Sequence, residues 1–193
     1  MNIKRRSISI FLVSSMLFLT GCGNSNNSGN GKKGYKNAED AAIAAAETLF
    51  PRDIETMLQD IAPPGFLEEW AKKSSLNTDD IVSAVDKELA LESEEEQILK
   101  SEKINFSIRE VTSFDTDKKA KINKYMANLG LEFPEDMVEV EVLAEMPQKL
   151  KDEQQWSDQT PEFYCFQYDG KWYGLWENMM DLEDLINPKS SDE

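Results

Sequence analysis

Glu162-Phe163-Tyr164-Cys165-Phe166-Gln167-Tyr168-Asp169-Gly170-Lys171-Trp172-Tyr173-Gly174-Leu175-Trp176 is the stretch on which the fold turns. Two runs rich in aromatic residues flank Asp169-Gly170. A two-residue hairpin turn needs positive φ at both central positions, and Asp-Gly supplies it at low steric cost. The stretch therefore reads as a β-hairpin with arms at 162–168 and 171–176. Working back along the chain, Val138, Val140 and Val142 alternate with Glu139 and Glu141. Ile104, Phe106 and Ile108 alternate in the same way with Asn105, Ser107 and Arg109. Both are strand periods with one face toward water.

Helical spacing dominates elsewhere. Asn37 is placed as an N-cap, with Glu39 and Asp40 in the first turn. Ala38, Ala41, Ala42, Ala45, Ala46 and Leu49 follow on one face, and small side chains there allow close packing. Pro51 reads as the first residue of a second helix with a stripe of Ile54, Met57, Leu58 and Ile61, ended by Pro63-Pro64-Gly65. A short helix carries Phe66, Leu67 and Trp70. Asn77 or Thr78 caps another, with Ile81, Val82, Val85 and Leu89, which is expected to continue into the acidic run 92–96. Those acidic residues read as a solvated face or turn. Between the first two strands, 116–129 reads as a helical insert capped by Asp115 or Thr116 and closed by Gly130, with Ile122, Tyr125, Met126 and Leu129 apolar. The segment 148–160 is polar and reads as a loop, and a last helical turn is expected over 180–186. The order is helices, strand, helix, strand, hairpin. Helices gathered on an antiparallel sheet make an α+β domain.

Composition narrows the chemistry. There is no histidine, which removes Ser-His-Asp and Cys-His triads, histidine zinc sites and most general bases of neutral pH. Tyr and carboxylates are present at no spacing that singles out a catalytic pair, and most carboxylates should face water. Asp115-Thr116-Asp117 begins like a calcium loop, but Ala120 and Met126 stand where a Gly and a bidentate Glu are required. No metal, cofactor or catalytic residue is expected. The net charge of −16 argues against nucleic acid, which needs clustered Lys and Arg.

Trp172, Trp176, Tyr164 and Tyr168 stand out in the aromatic last third. They can form a ligand or partner surface, or simply pack the two faces of the sheet. The second reading is favoured. Cys165, within Phe163-Tyr164-Cys165-Phe166, reads as an inert core thiol.

The N-terminus has a separate logic. Lys4, Arg5 and Arg6 precede an apolar run from Ile8 to Leu19, too short to span a bilayer comfortably. Leu19-Thr20-Gly21-Cys22 ends it, and resembles the lipobox of bacterial lipoproteins. The resemblance implies cleavage between Gly21 and Cys22 and a diacylglycerol on the Cys22 sulfur. It further implies an anchor in the cell membrane with the domain facing the extracellular side. Residues 1–21 are then a signal peptide, 22–36 a lipidated cysteine and flexible tether, and 37–193 a single α+β domain with a short tail. Loss of Lys4, Arg5 and Arg6 moves the charge from −16 to −19. Lipidation also leaves Cys165 with no cysteine to pair with.

The Ala-rich opening helix, the short helices around Pro63-Pro64-Gly65-Phe66 and the closing Tyr168-Asp169-Gly170-Lys171-Trp172-Tyr173 resemble the nuclear-transport-factor-2-like fold of small Gram-positive lipoproteins. In that fold a curved sheet curls around a helix into a cone. The helical insert 116–129 and the polar segment 148–160 depart from its simplest form. The implied role is a binding or interaction module at the cell envelope, held to the membrane and engaging an envelope protein or a small ligand. The alternatives are a small carboxylate/Tyr enzyme acting in the cone and a dimerising or structural scaffold.

Overall fold

The computed structural model describes residues 34–179. Cys22, Gly21 and the helical turn expected at 180–186 lie outside them. Strands β1 (Asn105–Ser113), β2 (Asp136–Glu145), β3 (Glu162–Tyr168) and β4 (Lys171–Trp176) form one antiparallel sheet in the order β1-β2-β3-β4. The β3–β4 turn has φ 50° at Asp169 and 68° at Gly170, as a two-residue Asp-Gly hairpin requires.

Helix α1 (Ala38–Leu49) crosses all four strands. The Asn37 side chain accepts from the Asp40 amide at 2.7 Å, satisfying one of the free donors of the first turn. Ala38, Ala41, Ala42, Ala45 and Ala46 are all buried. A glycine on β4 lets the helix come this close. A Cβ added at Gly174 would stand 2.7 Å from the Ala41 carbonyl oxygen and 3.2 Å from the Ala45 Cβ. The Cys165 thiol, paired across the ladder with Gly174, donates to the Ala38 carbonyl at 3.3 Å. These contacts define the inner face of the sheet, which Val138, Val140, Phe163 and Trp176 share by register.

Three local expectations need correction. Pro51 lies in a turn and does not start a helix. Arg52 adopts φ 62°, and Asp53 caps α2 (Ile54–Thr56) by accepting from the Thr56 amide at 3.2 Å. A π-helical segment, Met57–Ile61, continues α2 and keeps Ile54, Met57, Leu58 and Ile61 buried. The Arg52 guanidinium holds the turn by binding the Asp86 carbonyl and carboxylate and Glu96, which no local pattern reveals.

Helix α3 (Phe66–Ser74) leads to α4 (Thr78–Glu88), capped by Asn77. That helix does not continue through 92–96. A new helix, α5 (Ser93–Ser101), starts there, with the Glu95 carboxylate reaching back to the Glu92 amide at 3.3 Å.

Between β1 and β2 lies α6 (Thr116–Leu129), capped by Asp115 and closed by Gly130 at φ 85°. The segment expected as a loop contains a short helix, α7 (Gln148–Glu153). It has a single buried apolar residue, Leu150, too few for a periodic signal. A small second core of Ile98, Leu99, Ala144, Met146 and Leu150 holds it. Asp158 adds an acceptor for the Met146 amide at 2.8 Å and an ion pair with Lys151 at 2.6 Å. Among the described residues no helix is long and apolar enough to cross a membrane.

Inserting bulk into a packed contact typically costs about 1–3 kcal/mol. Gly174→Ala should lose about that much in urea unfolding, and Gly174→Val more. Gly170→Ala, with open space around the added Cβ, meets only the strain of its positive φ. A neutral Gly174→Val would mean that α1 does not rest on β4 as described.

Candidate functional site

The outer face of the sheet, opposite α1, carries the one carboxylate group of interest among the described residues. Glu139 on β2, Glu162 on β3 and Glu177 just after β4 each present a carboxylate oxygen, and these lie within 4.8 Å of one another. The hairpin explains the second pair. Phe163 faces Trp176 across the ladder, so Glu162 and Glu177 are the next residues along each arm, and the Glu177 amide donates to the Glu162 carbonyl at 3.1 Å. Glu139 stands directly opposite Tyr164.

One cation enters this group. Lys118, in the first turns of α6, places its ammonium 2.5 Å from Glu139 Oε1. The same nitrogen lies 5.0 Å from the Phe114 ring centroid and 4.9 Å from that of Tyr164. Those rings meet edge to face at 5.1 Å. The lysine is therefore held by a carboxylate and two π-faces together.

Like charges opposite one another on a sheet are destabilising. Burial, followed by the hydrogen bond and the charge of Glu177, pushes the Glu162 carboxyl above the usual glutamate range, while Glu139 and Lys118 pull it the other way. The Tyr164 phenol is raised by burial first and then by the charges of Glu177 and Glu139, so it stays a hydrogen-bond donor. Chemically the group can share protons between carboxyls. Its three oxygens also suit a hard divalent cation, which takes six or more oxygen ligands. The Lys118 ammonium already stands on Glu139, so an ion would have to compete with it.

The four aromatic residues singled out from sequence do not share one surface. By register, Tyr164 and Tyr168 lie on the outer face, and Trp172 and Trp176 on the inner face with Gly174. Tyr164 and Trp176 are buried, while Tyr168 and Trp172 are half-buried against the main core. Tyr168 donates to the Glu132 carbonyl at 3.1 Å, and burial followed by the charge of Glu132 pushes its phenol up to about 12. Trp172 exchanges two backbone bonds with Tyr35, at 2.8 and 2.9 Å. The Cys165 thiol is buried, and that burial raises it far out of the reactive range.

The expectation that carboxylates face water overlooked Glu139, Glu162 and Glu177. One signal was present in the sequence: Glu162 and Glu177 are equidistant from the Asp169-Gly170 turn, so a two-residue hairpin sets them opposite each other. Their meeting with Glu139 and Lys118 depends on pairing between segments distant in the chain. Comparison with protein-family models, with curated proteins and with solved structures finds no match to this chain.

The raised Glu162 carboxyl has a defined effect on stability. Its contribution is fully present below the ordinary glutamate pKa and is lost as pH rises through the higher folded value. Glu162→Gln should therefore be more stable than the parent at neutral pH. The difference should shrink on acidification to below about pH 4. Urea unfolding across that range checks it, and a variant less stable than the parent at pH 7 would contradict the raised Glu162 carboxyl.

Proposed function

We propose that this chain is a bacterial lipoprotein whose domain serves as a binding or interaction module at the outer face of the cell membrane. The observation that carries the reading is Leu19-Thr20-Gly21-Cys22, placed directly after a charged start and a short apolar run. Two or three acyl chains on Cys22 anchor firmly where one binds only reversibly, since each buried methylene contributes about 0.8 kcal/mol. The absence of histidine supports binding over catalysis. The acidic surface, at −19 for the processed chain once Lys4, Arg5 and Arg6 leave the total of −16, favours a partner with basic character.

The fold proposed for the domain is the nuclear-transport-factor-2-like cone. Its support is a single helix, α1, crossing all four strands of an antiparallel sheet that ends in a hairpin. An experimental structure with the sheet curled around α1 would establish it, and a flat open sheet would end it.

A carboxylate/Tyr enzyme is the second reading. It draws on one observation, the phenol of Tyr164 beside the Glu162 carboxyl, which burial and the neighbouring Glu177 raise above the usual glutamate range. A tyrosine donor next to a carboxyl of raised pKa is a known way to run acid-base chemistry near neutrality.

Membrane fractionation with labelled fatty acid tests the anchor. The parent chain should incorporate label and sediment with membranes. Cys22→Ala should take up no label and remain either uncleaved or released. Normal processing and retention of Cys22→Ala would overturn the reading.

A further inference from the structure

Strand β1 is an edge of the sheet, and among the described residues no strand pairs with its other side. The opposite edge is treated differently, because Tyr35 pairs with Trp172 on β4. On β1 the five successive residues from Arg109 to Ser113 are all exposed. Val111, at 44% exposed, is one of only three large apolar side chains so exposed among the described residues. An open edge presents unpaired backbone donors and acceptors to any strand that fits.

The register of β1 decides what fits. Ile108 faces Val142 and Glu110 faces Glu141, so Arg109 is an extra residue in a bulge. The Arg109 guanidinium reaches Glu141 at 3.1 Å, which puts Arg109 and Glu110 on the same outer face. In a regular strand, neighbours alternate between faces. A regular strand meeting its own copy antiparallel must therefore centre on a residue, which here would set Arg109 against Arg109. The bulge permits a different centre, between Arg109 and Glu110. Arg109 then opposes Glu110 of the other copy on the outer face, twice by symmetry. Ile108 opposes Val111 on the inner face, and Ser107 opposes Thr112 on the outer face. Every pair keeps its face, unlike charges meet, and β-branched and hydroxyl side chains match their own kind.

We propose that two copies of this chain associate through β1, antiparallel, about a two-fold axis passing between Arg109 and Glu110. The overall negative charge opposes the approach, but charges more than about 8 Å apart are largely screened at physiological salt. At the seam itself each Glu110 faces an arginine. The pairing does not depend on the lipid anchor, although an anchor would raise the effective concentration of copies.

Sedimentation velocity of the full chain in detergent micelles, over a concentration series, provides the test. The parent should pass from monomer to dimer. Glu110→Arg, which leaves the Arg109–Glu141 pair intact, should weaken the dimer about tenfold, as two like-charge contacts would. Arg109→Glu should do the same, and Arg109→Glu with Glu110→Arg should restore association. Val111→Lys, on the opposite face of the strand from these ion pairs, should also weaken it. A parent that stays monomeric throughout, single reversals that dimerise as the parent does, or a double exchange that fails to recover would each overturn the proposal.

Discussion

The close approach of α1 to the hairpin is the constraint on which the rest of the structure depends. Here Gly174 meets the backbone of Ala41, and a row of alanines replaces the usual bulk. Leu58, Phe66, Trp70, Phe163 and Val140 supply bulk in the same core. Dispersion contacts of this kind are individually small and sum over many atom pairs, so a single misplaced methyl group is felt. Because α1 touches all four strands, its seat on Gly174 also aligns the strands with one another.

Fixing the inner face leaves the outer face to hold what remains. Strand alternation sends Glu139, Glu162 and Tyr164 outward together, and the hairpin brings Glu177 alongside. Three carboxylates at that spacing repel unless protons or cations intervene. Lys118 intervenes from α6, whose start is directed over this face by Phe114 packing on Tyr164. The helical insert between β1 and β2 is thus an electrostatic partner of the sheet as well as a connection.

The same alternation, interrupted once, shapes the free edge. The bulge at Arg109 sends two successive charged residues to one face, one bound within the chain to Glu141 and the other turned to solvent. Bulges commonly protect an edge by spoiling its fit to a regular strand. A bulged edge still fits a copy of itself when both bulges meet, so it selects its own copy over other strands.

Local signals determined a good part of this protein. Asn37 was legible as a cap, and Asn77 and Asp115 to within one residue, because their side chains bond amides only three residues away. The Asp169-Gly170 turn and the alternation in β2 were legible because each follows from backbone geometry over a few residues. Tertiary structure decided the remainder. Arg52 halts a helix at Pro51 by binding groups on α4 and α5, and Leu150 makes a helix of a polar segment by docking in a core built from distant residues. The meeting of Glu162 and Glu177 with Glu139 and Lys118 came the same way. In each case a deciding partner lies tens of residues away, Asp86 and Glu96 for Arg52, Ile98 and Leu99 for Leu150, Lys118 for Glu139, and its distance through space is set only by the tertiary fold.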